Sequence, residues 1–134
     1  MMLTICDTHV LLFWADRKDR LSLTASNALN AGLVAKNLAC SDVSFWEISV
    51  LVRKDRLKLP PDCSPASYMD DIVRSLRLTV LPITPSIAAL AESGIVPHGD
   101  PADRLIAATA LHHHIPLITT DAKLHALPSL HCIW

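Results

Sequence analysis

The sequence predicts an α/β domain built on a mostly parallel sheet with helices on both faces. Short apolar runs alternate with helical patterns from one end of the chain to the other, as in successive βαβ units. The core on offer is aliphatic, since 51% of residues are apolar and only 4% aromatic, which suits buried strands covered on both sides. At 134 residues the chain reads as one domain, spanning 1–134, with enough length for a real core and no internal repeat or linker.

Leu3–Cys6 is a short apolar run, read as a buried first strand. His9–Ala15 makes a short helix, closed by the charged turn Asp16-Arg17-Lys18-Asp19-Arg20. Ser22 is a suitable N-cap for a helix running to about Lys36. Leu38–Ser41 gives a second strand, and Ser41 can cap the helix Val43–Arg53. Leu59-Pro60-Pro61 breaks the chain before a helix over Pro65–Arg77. Thr79–Ile83 is a third strand, and Pro82 within it argues for an edge position or an early end.

Thr84 then caps a helix that starts with Pro85 and runs to about Ser93. A loop from Gly94 to Gly99 leads to Asp100, which caps a helix from Pro101 to His113. Pro116–Thr120 is a fourth strand, Ala122–Ala126 a short helix and His131–Trp134 a final short strand.

Formal charge is −1, so no large basic surface advertises nucleic acid. The charge is uneven, with basic groups at Arg17, Lys18 and Arg20 and at Arg53, Lys54, Arg56 and Lys58. Both have an ordinary reading as solvated helix ends and a functional one as flanks of a phosphate-binding groove. Leu3–Cys6 is too short for a signal-peptide core, and Val10–Ala15 falls far below a membrane span. Cys6, Cys40, Cys63 and Cys132 show no zinc spacing, and three of them fall in strands, where a reduced cysteine packs as a small core residue. A cytoplasmic protein fits this usage better than a secreted one.

Four acids, Asp7, Glu47, Asp103 and Asp121, stand where apolar runs give way to turns or to new helices. In a parallel α/β domain, strand ends and the starts of the following helices gather along one edge of the sheet. Carboxylates brought together there repel one another unless a cation neutralises them, so such a cluster points to a metal. Each acid also has an ordinary reading. Asp7 can cap the helix after the first strand, Asp103 can complete the capping of the helix begun by Asp100, and Asp121 can cap Ala122–Ala126. Glu47 lies too far inside its helix to be a cap.

Taken together, Asp7-Thr8-His9 after an apolar strand, Ser41-x-x-Ser44-x-Trp46-Glu47-Ile48, Asp100-Pro101-x-Asp103-Arg104-Leu105-Ile106-Ala107 and Thr119-x-Asp121 occur in that order. This pattern resembles the PIN-domain ribonucleases, and among them the VapC toxins of bacterial type II toxin–antitoxin pairs. The likeness runs over essentially the whole chain. It implies a single PIN-like domain and a metal-dependent endoribonuclease, with Asp7, Glu47, Asp103 and the more variable Asp121 as catalytic carboxylates that bind Mg²⁺ or Mn²⁺. Thr8 and Thr119 match small hydroxyl positions beside the site, where they orient a carboxylate or a water. Asp100 matches a further acid of the family, although capping explains it equally well. Arg104 is expected to pair with a site carboxylate or to approach a phosphate.

The resemblance also implies an RNA substrate, a homodimer and a VapB-type antitoxin that covers the acidic cleft with a basic side chain. Phe13, Trp14 and Trp46 are apolar positions that could serve either interface. Of the histidines, His112-His113-His114 suits a helix end. His9 is set aside as a ligand, and His98, His125 and His131 carry no readable signal.

Two phosphoacceptor folds fail on named residues. A receiver domain wants an acceptor Asp after its third strand, where this chain has Thr84-Pro85, and a haloacid-dehalogenase-type phosphatase wants Asp-x-Asp where position 9 is His. A catalytically silent scaffold of the same fold is the remaining alternative, and the four intact acids argue against it.

Overall fold

The structure, a computed structural model, describes residues 2–134. Five parallel strands form one sheet: β1 (Thr4–Cys6), β2 (Leu38–Ser41), β3 (Thr79–Leu81), β4 (Leu117–Ile118) and β5 (Cys132–Ile133), in the order β3-β2-β1-β4-β5. Helices α1 (Thr8–Asp16), α2 (Leu23–Ala35), α3 (Val43–Arg53), α4 (Pro65–Leu76), α5 (Pro85–Ala91), α6 (Pro101–His113) and α7 (Ala122–His125) fill the connections, with a single 3₁₀ turn at Lys18–Arg20. No helix among the described residues is long and apolar enough to cross a membrane.

The alternation of strand side chains builds two cores, as a sheet buried on both faces requires. Cys6, Leu38, Cys40 and Ile118 face one side, where they meet Val10 and Leu11 of α1, Leu29 of α2, Ile48 of α3 and Ile72 and Leu76 of α4. Ile5, Ala39, Leu81 and Leu117 face the other, against Ile106, Ala107 and Ala110 of α6 and Leu124 of α7. Helix α5 packs through Ile87 and Ala91 on Ala108 of α6. Burial pushes the thiols of Cys6 and Cys40 well above their ordinary range, so both serve as inert packing groups.

The caps follow the sequence closely. The hydroxyls of Ser22 and Thr84 accept from the amides of Ala25 and Ile87 at 3.0 and 3.2 Å. Asp100 accepts from those of Ala102 and Asp103. Ser41 accepts from Val43 at 3.2 Å, although Asp42 is the residue at the cap position of α3.

Several ends differ from the sequence reading. Strand β3 lies at the sheet edge as expected, but it stops at Leu81 because Pro82 has no amide to donate. β4 and β5 are two residues each, shorter than the apolar runs that contain them. α1 starts at Thr8, one residue early, because Asp7 accepts from the Thr8 amide. α4 ends at Leu76, where Arg77 turns into the left-handed region at φ 52°, and α5 ends at Ala91.

Gly32 shows how tightly α2 lies on the sheet. A Cβ at this position would fall 2.3 Å from a methyl carbon of Leu38, which is itself fully buried. Gly32→Ala is therefore expected to destabilise the fold by about 1–3 kcal/mol through overpacking, measured as a lower midpoint in urea with an unchanged slope.

Candidate metal centre

The strand order reverses at β1, with β2 on one side of it and β4 on the other. Ligands of open α/β sheets bind beyond the carboxyl ends of the strands at such a switch point. Asp7 follows β1 directly, and its amide donates to the Ile118 carbonyl of β4 at 3.0 Å. Its carboxylate is 4% exposed and is held from two sides. One oxygen accepts from the Thr8 amide at 2.8 Å, and the other accepts from the Thr119 hydroxyl at 2.7 Å. Burial pushes the Asp7 carboxyl above its ordinary range, and the Thr119 and Thr8 hydrogen bonds offset part of that.

Glu47 reaches the same place from the second turn of α3, and Asp103 from the first turn of α6. One carboxylate oxygen from each of Asp7, Glu47 and Asp103 lies within 4.8 Å of the others. Oε1 of Glu47 is buried without a hydrogen-bond partner among the described residues. Burial pushes the Glu47 carboxyl up, helped by the charge of Asp7. Asp103 rises to about 7, through burial first and then through the charges of Asp7, Asp100 and Glu47. Three carboxylates that resist sharing their charge, one of them with an unpartnered oxygen, are a donor set that fits a hard divalent cation.

Thr8 and Ser44 join α1 to α3 beneath this cluster by a hydroxyl–hydroxyl hydrogen bond of 2.8 Å, with both residues fully buried. Ser44 stands within the motif quoted above, but its burial could not be read from it.

Asp121 sits at the N-terminus of α7, where it accepts from the Lys123 amide as a cap does. Its other oxygen faces His98 Nε2 at 2.7 Å, and Asp103 lies 3.4 Å from the same nitrogen. His98, Asp103 and Asp121 form a second group of closely spaced donors that shares Asp103 with the first. Burial pushes the Asp121 carboxyl up, but the hydrogen bond from His98 and those from the backbone of α7 outweigh it, and the net shift is downward. His98 is the member that sequence reasoning missed. It comes from the loop between α5 and α6, far in sequence from any strand end that would have drawn attention to it, and only the fold brings it to the acids.

Thr119 and Arg104 behave differently from one another. Thr119 does what its position suggests, donating to Asp7 and accepting from the Asp121 amide at 3.1 Å. Arg104 does not. Among the described residues it makes no ion pair with a site carboxylate. Its guanidinium donates instead to the His98 carbonyl at 2.7 Å and to Glu92 at 3.0 Å. Asp100 caps α6, and its amide donates to His98 Nδ1 at 3.0 Å.

A groove of about 340 Å³ opens beside the acids, lined in part by His9, Trp46, Glu47, Lys54 and Arg56. Trp46 is 60% exposed. The other basic group is taken up locally: Arg17 pairs with Asp19, Lys18 lies over Trp14 and Arg20 over Phe13.

The PIN domain model matches residues 4–130. The chain belongs to the PIN-domain family. It is 34% identical over 139 residues to Ribonuclease VapC22 of Mycobacterium tuberculosis (strain ATCC 25618 / H37Rv), covering the whole of both proteins. Among solved structures it is similar to VapBC2 from Rickettsia felis bound to a DNA fragment from their promoter, with a TM-score of 0.72 at 18% identity, covering 98% of this chain and 97% of that one. DNA-bound VapBC from Salmonella typhimurium gives a TM-score of 0.69 at 16% identity, with the same coverage. At those identities the solved structures speak for the PIN fold.

The raised Asp103 carboxyl has a consequence for stability without metal. The unfolded chain releases this proton near pH 3.8 and the folded chain holds it to about pH 7, so folding takes up a proton between those values and stability falls as pH rises through them. Thermal melts in a chelator should show a lower midpoint at about pH 8 than at about pH 5, and Asp103→Asn should flatten that slope.

Proposed function

We propose that this protein is a metal-dependent endoribonuclease, the toxin of a type II toxin–antitoxin pair. The observation that carries the reading is the convergence of Asp7, Glu47 and Asp103, whose carboxylate oxygens come within 4.8 Å of one another around an unpartnered Glu47 oxygen. The full-length similarity to a ribonuclease supports the choice of RNA.

In this reading Asp7, Glu47 and Asp103 hold Mg²⁺ or Mn²⁺, and Asp121 stands beside them, paired with His98. The cation would offset the carboxylate charge, shield the negative charge that grows on the phosphate, and bring the pKa of water towards neutrality. The protein's part is positioning. The Thr8 amide and the Thr119 hydroxyl fix both oxygens of Asp7, and the Thr8–Ser44 contact ties the first turn of α1 to the helix that carries Glu47. With a water as nucleophile no serine or cysteine is needed, and hydrolysis leaves a 5′-phosphate and a 3′-hydroxyl.

The groove beside the acids suits a single strand. Lys54 and Arg56 offer charge to phosphates and the exposed Trp46 offers a face for a base. The same acidic cleft suits a VapB-type antitoxin that presents a basic side chain, and the solved relatives that contain both VapB and VapC support such a partner. A homodimer acting in the cytoplasm completes the reading.

Antitoxin-free protein should cleave RNA with Mn²⁺ or Mg²⁺ and stop in excess chelator. Asp7→Asn and Asp103→Asn should fold normally and lose cleavage, which also separates an enzyme from a silent scaffold. Thr119→Val should cost about 10- to 100-fold in metal affinity or cleavage rate by freeing Asp7. Cleavage that persisted at the wild-type rate in Asp7→Asn would overturn the assignment.

A further inference from the structure

The geometry of His98 points to the number of cations. A backbone N–H can only donate, and the Asp100 amide donates to His98 Nδ1 at 3.0 Å. Nδ1 therefore carries the lone pair, and the ring proton sits on Nε2. That nitrogen is the one that faces Asp121 Oδ2 at 2.7 Å and Asp103 Oδ2 at 3.4 Å. A nitrogen that bears a proton is a donor to carboxylates and cannot be a metal ligand.

We propose that His98 occupies the place of a second cation, its Nε2–H donating to Asp121 with Asp103 3.4 Å from the same nitrogen, so that the cleft binds one divalent ion, at Asp7, Glu47 and Asp103. This rests on the metal-dependent reading above and decides what that reading leaves open. Three features keep the ring in this orientation. Its side chain is only 9% exposed. The Asp100 amide fixes Nδ1 from the start of α6. Arg104, one turn into the same helix, grips the His98 carbonyl and Glu92 at once.

Turning Nε2 into a ligand would require the proton to move to Nδ1, where it would face the Asp100 N–H. The two donors would then oppose each other at 3.0 Å and leave the amide without its partner, a cost that an N–H on Nε2 avoids. Asp121 is accordingly a positioning residue. It anchors His98 and the start of α7, and it does not touch the ion.

The test is a titration of the full-length, antitoxin-free protein with Mn²⁺ alone, reading free Mn²⁺ by electron paramagnetic resonance, which needs no turnover. The wild type should bind one ion per chain. Asp121→Asn should keep that stoichiometry with an affinity within about threefold, since it removes no ligand, whereas Asp103→Asn should lose it by tenfold or more. His98→Gln, whose amide can still donate, should also bind one ion. His98→Ala, checked for folding by circular dichroism, should gain a second because nothing then separates Asp103 from Asp121. Two ions in the wild type, a loss in Asp121→Asn equal to that in Asp103→Asn, or one ion in folded His98→Ala would each overturn the proposal while leaving the metal site in place. No Mn²⁺ bound by the wild type would instead overturn the metal-dependent reading itself.

Discussion

Mutual repulsion among carboxylates is the constraint around which this protein is arranged. Asp7, Glu47 and Asp103 come from the end of β1, from α3 and from α6, and the fold forces their oxygens within 4.8 Å of one another. In a half-buried cleft that proximity is unfavourable, and it shows as carboxyl groups that all titrate above their ordinary range. A fold can carry such a cost only where the surrounding structure dictates the positions. Here the packing of α1, α3 and α6 on either face of the sheet supplies that rigidity, and the hydrogen bonds to Asp7 from Thr8 and Thr119 set the angle of the most buried acid.

The sheet order explains why these acids meet at all. β1 lies at the centre, and its neighbour β4 brings Thr119 and Asp121 to the same edge. A single amide, that of Asp7, links the two strands at that point by donating to Ile118. The sharing of Asp103 between the two groups then divides the cleft. On one side stand the closely spaced oxygens of Asp7, Glu47 and Asp103. On the other stand Asp103 and Asp121 with a ring nitrogen between them.

Much of this could be read from the residues. The alternation of apolar runs with helical patterns conveyed the parallel sheet, and Pro82 conveyed an edge strand. Asp7 and Glu47 stood out because a strand end and a helix interior leave an acid little ordinary work. Asp103 and Asp121 were harder, since each also serves its helix, and the structure shows Asp121 acting as a cap while it pairs with His98. His98 was illegible for a physical reason. It stands on a loop with no periodicity, and one of its partners, Asp121 at the start of α7, is distant in sequence. Arg104 misled in the opposite way: a cation beside Asp103 in sequence suggested a cation in the site, but on a helix adjacent residues diverge, and its reach is towards Glu92 and the loop. The ends of β3, β4 and β5 also escaped, because an apolar run sets where a strand can lie and pairing with its neighbours sets where it stops.

The acids form a donor set suited to a cation. Crystals grown with Mn²⁺ would test this most directly through an anomalous difference map. The expected result is a peak bounded by oxygens of Asp7, Glu47 and Asp103, with His98 still hydrogen-bonded to Asp121. Density for Mn²⁺ only at surface groups such as His112 and His113, with the carboxylates unbridged, would contradict it.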